Sequence, residues 1–446
     1  MDAPPVTQSV SKLLAYGSMA MPLCLAEIPA LLYLPAFYAQ EFHLSAALVG
    51  FVFLATRCWD GLSDLLIGWL SDRSVSRFGR RKPWVIAGAP LLILSTWLLC
   101  VPTGGRGLGY LLVWSVLFFT SFTAVKIPHL SWGTELSTDY VERSRVTGYR
   151  EAFTMIGNLL FAALPLLFLA PDAPLRQVLL LITISIVCTV PPATILLTFV
   201  RDPKPTAVVE TKILKEFLEI LKDKVFVQFQ IARLLYAVEE GISNSLVVFS
   251  IDVGLNLPNA LFSLVFLIYI ATLTALPITL HISRRVQKHW LLAAGIGAQS
   301  LILGLLALIP TGHYWIAALL YVIMGLANSA MLVVPYSILA DIIDNGEVMN
   351  GERRSGAYVA LDNLVYKIGM ALGVGIAFGL LALLHYDPGA AHHDSADMRH
   401  IVLLGYALPC VLLLPSVFMY LRHPISWAVQ RQLRATIDAR RLAGGH

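Results

Sequence analysis

Charge is what this chain is short of. Asp, Glu, Lys and Arg make up 13% of its 446 residues, 57% are hydrophobic and the mean hydropathy is +0.73. A soluble domain carries about a quarter charged residues, so that class is excluded and a polytopic membrane protein is implied. The net charge of +4 comes without a basic face interleaved with aromatics, which excludes nucleic acid as a partner. Cysteine is scarce as well. Cys24, Cys58, Cys100, Cys188 and Cys410 each sit in an apolar run with no CxxC, as packing residues rather than disulfides or metal ligands. There is no nucleophile elbow, Walker loop or HExxH, so nothing supports an enzyme. Residues 1–11 hold Asp2 and no Lys or Arg, and no cleavable signal peptide is expected. The loop from His385 to His400, with His392, His393 and Asp394, resembles a metal site only superficially; it reads as an exposed loop with no metal.

What is abundant is the long apolar run. Runs of about 20 residues predict helices near 13–38, 45–71, 83–102, 108–133, 147–170, 176–200, 226–252, 258–281, 289–309, 314–342, 356–384 and 400–422. Twelve spans put both termini on one side. Of the 32 Lys and Arg residues, 24 then fall on the side of the termini and three (Arg106, Arg176, Arg399) on the other. By the positive-inside rule the termini are cytoplasmic, in a plasma (inner) membrane. The segment 201–225, with Pro203 and Pro205 and an apolar stripe from Ile213 to Leu221, separates an N-terminal bundle (1–200) from a C-terminal one (226–422). A tail, 423–446, follows with the pattern of a surface helix. Pro128-His129-Leu130-Ser131 followed by Glu142-Arg143 is echoed about 207 residues later by Pro335-Tyr336-Ser337 and Glu352-Arg353, as expected of two related halves with a site between them.

The residues that stand out are charges at membrane depth, each costing roughly 2.5–3.5 kcal/mol on insertion scales. In RCWDGLSDLLIGWLSDR, Arg57, Asp60, Asp64 and Gly68 lie within an arc of about 80° on a helix. Two carboxylates at i and i+4 repel each other, and a cation, a proton or a neighbouring base relieves the repulsion. A cation site is therefore expected at Asp60 and Asp64, alongside an Arg57 to Asp60 pair. Further ionisable residues at this depth are Glu27, Lys126, Arg150, Arg233, Glu239, Glu240, Asp362 and Lys367. Lys126 should face Asp60, Asp64 or an anionic ligand. Lys367 suits a substrate better than Asp362, five residues earlier. Glycines at 369, 373, 375 and 379 suit close packing of helix 11.

The order RCWDGLSDLLIGWLSDR, RFGRRKPW, KIPHLSWGTEL and ADIIDNGEVMNGERRSGAY resembles the glycoside-pentoside-hexuronide:cation symporters, the melibiose-carrier branch of the major facilitator superfamily. The resemblance runs from helix 1 to helix 12. It implies an all-α fold of twelve transmembrane helices in two six-helix bundles, alternating access, and a solute carried with a coupling cation, Na⁺ or H⁺, without other cofactors. By this resemblance the cation site falls on Asp60, Ser63, Asp64 and Thr123, and sugar-contacting basic residues on Arg150 and Lys367. Glu27, Lys126, Glu239 and Asp362 complete the substrate set. The sugar-binding helix-1 aspartate is Cys24 here, the helix-4 aspartate is Lys126, and the aromatic four residues on is Leu130, all of which point away from galactosides. Arg57, Asp72, Arg73, Arg80, Arg81, Asp341, Arg353 and Arg354 are expected to gate, the loop charges locking an outward-open state. The expected partners are a small hydroxylated or anionic solute, the cation and membrane lipid, acting on a monomer. Two alternatives stay open: a carrier of amphiphiles or lysolipids, and a non-transporting sensor or assembly protein on the same scaffold.

Overall fold

The computed structural model describes residues 9–74, 76, 78–103, 107–136, 140–170, 172–200, 213–283, 285–350, 355–386 and 394–444. Among these residues every regular element is a helix. Twelve are long and apolar enough to cross a membrane: α1 (Val10–Leu32), α2 (Ala46–Ser71), α3 (Lys82–Cys100), α4 (Leu108–Gly133), α5 (Arg145–Phe168), α6 (Leu175–Thr198), α7 (Lys224–Gly254), α8 (Leu261–Ser283), α9 (Lys288–Leu306), α10 (Tyr314–Met349), α11 (Ala357–Leu383) and α12 (Ser395–Leu421). Only spanning helices satisfy their own backbone in lipid, which is why the apolar runs translate so directly into elements.

The first half packs α1 on α5 and α6, and α4 on α2 and α3; the second packs α7 on α11 and α12, and α10 on α8 and α9. The halves meet chiefly along α2 with α11 and α5 with α8, and also through α1 with α7. Where α2 and α11 cross, small residues admit the partner: Gly50 lies under Phe378, Gly375 against Leu54 and Gly61 near Leu364. The ring of Tyr33 stacks on Phe161 at 5.3 Å and meets Phe262 edge-on at 5.9 Å, and Phe161 meets Tyr269 at 6.5 Å. These rings join the halves at the end away from the termini.

Local sequence explains the departures from regularity. Pro29 and Pro35 flank a break at Tyr33, so α1 gives way to a separate helix, Leu34–Glu41. The RFGRRKP loop turns at Gly79, whose φ of 109° excludes a side chain without strain. Asp223 caps α7 by accepting from the Val225 and Phe226 amides. Residues 201–212 of the expected linker lie outside the described residues, and a short helix, Ile213–Ile220, follows. The tail forms the helix Trp427–Gly444.

Candidate functional site

Midway along α2, Asp60 is 1% exposed and Arg57 is buried beside it, Nη1 to Oδ2 3.5 Å, with the guanidinium 4.5 Å over the Phe119 ring. From α4, the Thr123 hydroxyl lies 3.2 Å from Asp60 Oδ1 and 2.9 Å from Asp64 Oδ1. A hydroxyl has one hydrogen, so it serves one carboxylate at a time. Ser63 donates to the Asp60 carbonyl at 3.0 Å and lies 3.3 Å from Thr123 Oγ1. These are the four residues of the expected cation site, gathered in one place.

The partner that closes the group comes from the other half. Lys367 of α11 sets its Nζ 2.9 Å from Asp60 Oδ2 and 2.5 Å from Asp64 Oδ2. An ammonium thus sits on both acids, where sequence reasoning assigned Lys367 to the substrate. The bare Coulomb attraction of each contact is roughly 4 kcal/mol or more at an effective dielectric of about 20, much of it offset by the cost of desolvating the charges. Asp64 and Lys367 both keep 20% exposure, so the bridge borders the gap between the halves and is not sealed in the core.

Lys126 does not reach Asp60 or Asp64. It chelates Glu27 of α1 with Nζ 2.9 Å from Oε1 and 2.8 Å from Oε2, and rests 4.8 Å over the Phe122 ring. Thr123 and Lys126 are separated by about 60° around α4; the short side chain meets α2 while the long one bends to α1. The pair is 28% and 30% exposed. Beside it Cys24 donates to Asn158 Oδ1 of α5 at 2.7 Å, so the position of the family's aspartate holds a thiol bound to an amide. Arg150 pairs with its neighbour Glu151, Nη2 to Oε1 2.5 Å. Each of the three cations expected to meet the solute therefore already has an acidic partner. Exchanging the charges (Glu27→Lys with Lys126→Glu) should recover most of the transport that either single change loses, on the order of tenfold for pairs of this kind. Uptake by the four variants measures the coupling.

In the second half, Asp362 is buried against Arg233 (Nε to Oδ1 3.5 Å) and accepts from Gln230 Nε2 at 3.2 Å. Arg233 lies 4.8 Å over Tyr366 and 5.8 Å over Tyr336. Tyr366 donates to Glu240 Oε2 at 2.6 Å. Glu239 points away from this chain of contacts, accepting from Ser243 Oγ and Gln299 Nε2. Asn158, Gln299 and Tyr366 escaped sequence reasoning because they are uncharged; a scan for neutral polar residues at membrane depth would have found them.

The gating candidates lie at the ends of helices on the side of the termini. Arg73 covers Trp69 at 4.2 Å, and buried Arg81 donates from Nη1 to Ser71 Oγ at 2.9 Å, with Arg80 buried beside it. Asp341 of α10 is held by Lys288 Nζ at 2.6 Å and Gln430 Nε2 at 2.5 Å, which ties α10 to α9 and to the tail helix. Next to it the His289 and His423 rings are 5.9 Å apart. Burial, and then His289, push the His423 imidazole down to about 4, so it is neutral where the tail is docked. The Asp72 side chain, Arg353 and Arg354 lie outside the described residues, as do His392 and His393.

Residues 15–426 match the family model described as MFS/sugar transport protein. An uncharacterized symporter of Synechocystis sp. is 25% identical over 96% of this chain and 96% of its own length. A sphingosine-1-phosphate transporter of Xenopus tropicalis is 23% identical over 91% of this chain and 87% of its own. Among solved structures, a bacterial homolog of the human lysosomal transporter Spinster, in an inward-facing, unoccupied conformation, superposes with TM-score 0.68 at 16% identity, covering 96% of this chain and 99% of that one.

Proposed function

We infer what the chain carries, and how, from the premise that it belongs to the MFS/sugar transport family: it is a membrane transporter of the melibiose-carrier-like symporter type, not an enzyme. We propose that it couples a monovalent cation, Na⁺ or H⁺, to a small solute by alternating access, with Asp60, Ser63, Asp64 and Thr123 receiving the cation. The observation that carries the reading is the Lys367 ammonium bridging Asp60 and Asp64 across the halves. In this conformation the lysine supplies the positive charge that the two acids need. A cation entering among the acid and hydroxyl oxygens supplies the same charge, frees Lys367, and so removes a bond between α2 and α11. Occupancy and rocking of the halves are thereby linked, because the cation binds one arrangement more tightly than the other.

The solute is proposed to bind among Glu27, Lys126 and Arg150 in the gap. Opening the Lys126–Glu27 pair for a simple anion would strand Glu27, whereas a hydroxyl-rich solute, or one bearing both charges, satisfies both groups. This favours a sugar, glycoside or uronic acid rich in hydroxyls. A second reading, an amphiphile carrier, is supported by the sphingosine-1-phosphate transporter among the relatives and by Cys24, Phe122 and Leu130 near the pair. The arginine and lysine bias supports cytoplasmic termini.

Uptake of sugars, uronic acids and lysolipids into proteoliposomes, each in Na⁺ and in choline and at acidic and neutral pH, separates these readings. Asp64→Asn should lose the ion-gradient dependence and at least tenfold of the driven uptake. Unchanged uptake with unchanged gradient dependence would remove the cation site from these residues.

A further inference from the structure

Glu239 is 0% exposed, in the middle of α7, and among the described residues no cation pairs with it. Its Oε1 accepts from Ser243 Oγ at 2.7 Å and its Oε2 from Gln299 Nε2 of α9 at 3.2 Å. The charged neighbour acting on it is Glu240, a second acid. The cations of the interior are committed elsewhere: Arg233 to Asp362, Lys126 to Glu27 and Lys367 to Asp60 and Asp64. Of the elements packed on α7, α11 presents Tyr366, whose hydroxyl goes to Glu240, along with Asp362 and Lys367. From α12 come Cys410 and Tyr420, from α10 Tyr336 and from α1 Cys24 and Glu27. None of these brings an uncommitted positive charge to Glu239.

The amide that meets the acid is itself incompletely satisfied. Gln299 Oε1 is buried without a hydrogen-bond partner when Nε2 faces the acid. The oxygen and nitrogen of a side-chain amide are interchanged by a half-turn. Turning it round would only exchange the orphan oxygen for an orphan NH₂, so Nε2 stays on the acid and gives Oε2 a neutral donor at 3.2 Å. The acid is thus held by two neutral donors and no cation, and one hydrogen on the carboxyl removes an uncompensated charge that would cost several kcal/mol to bury. Among the described residues no group of three or more acids, histidines or cysteines gathers there to hold a metal cation.

We propose that Glu239 is a proton-binding site of the second half, separate from the Asp60–Asp64–Lys367 group, that holds its proton in the conformation described and exchanges it when water reaches α7 and α9 in another. The inference does not rest on the reading of Asp60 and Asp64: a chain whose cation site lies elsewhere would still carry this proton.

The test needs no knowledge of the solute. Infrared spectra of the purified full-length protein in lipid nanodiscs, recorded in H₂O and D₂O from mildly acidic to alkaline pH, report protonated carboxyl groups through their deuterium-sensitive C=O stretch. That band should be present in the unaltered protein, in Glu240→Gln and in Asp64→Asn, and be lost in Glu239→Gln. Gln299→Leu keeps the acid but removes one of its two hydrogen-bond donors, so the band should persist at a shifted frequency; it serves equally if Glu239→Gln does not fold. Replacing choline by Na⁺ should leave the band in place. A band that survives Glu239→Gln, is missing from the unaltered protein at acidic pH, is unmoved in Gln299→Leu, or disappears on adding Na⁺ would overturn the proposal.

Discussion

Replacing Lys367 by glutamine is expected to lower driven uptake by about two orders of magnitude and to make the stability of the protein depend on Na⁺. The ammonium lies 2.9 Å from one acid and 2.5 Å from the other, and its loss leaves Asp60 with Arg57 alone and Asp64 with a hydroxyl. Removing one partner of a buried pair costs roughly 3–5 kcal/mol. Because Lys367 and Asp64 are 20% exposed, water screens part of that, and the lower end applies. About 3 kcal/mol corresponds to about two powers of ten in an equilibrium. The two acids must then recruit a proton or a metal ion, so thermal unfolding in NaCl against choline chloride should separate by several degrees in Lys367→Gln and less in the unaltered protein. Equal uptake and no response to Na⁺ would show that the bridge has no part in transport.

The second large effect is expected from Gly373→Leu. A Cβ at Gly373 would press on the Val238 carbonyl oxygen and the Gly241 Cα, and one at Gly241 on the Met370 carbonyl oxygen. Backbone meets backbone there, so neither helix can yield by turning a side chain. Overpacking in a core typically costs 1–3 kcal/mol, and a rigid neighbour on both sides puts this site at about the top of that range or above it. As α11 moves off α7 it also draws Lys367 away from α2, so transport should fall with stability. Gly379 lies on the same helix, and a methyl group added there would meet nothing within 4 Å. Gly379→Ala should therefore leave melting temperature and uptake unchanged, or raise the former slightly by helix propensity. If both substitutions behave alike, the α7–α11 contact is not the tight point.

The spans were legible because the bilayer imposes one rule on every helix: an apolar run from Leu175 to Thr198 admits one reading. The ends were less so. Helix α10 continues to Met349, past the Asp341 and Asp344 that charge alone suggests as a boundary, because Asp341 finds Lys288 and Gln430 beyond the apolar layer. Within the site, periodicity was enough to place Arg57, Asp60 and Asp64 on one face, and the family resemblance brought in Ser63 and Thr123. Who pairs with whom was not legible. Lys367 and Asp64 are 303 positions apart, joined only when α11 crosses α2. Lys126 was expected at Asp60, Asp64 or an anionic ligand, and its pairing with Glu27 depends on the angle between α4 and α1, which no single helix encodes.

The pairing of interior charges has an electrical consequence. Lys126 with Glu27, Arg150 with Glu151, Arg233 with Asp362, and Arg57 and Lys367 with Asp60 and Asp64 leave these groups balanced. A membrane potential does about 2.3 kcal/mol of work per elementary charge per 100 mV, but only on charge that is unbalanced as it crosses the field. For these groups the unloaded reorientation is voltage-silent, so they add nothing of their own to a transport current.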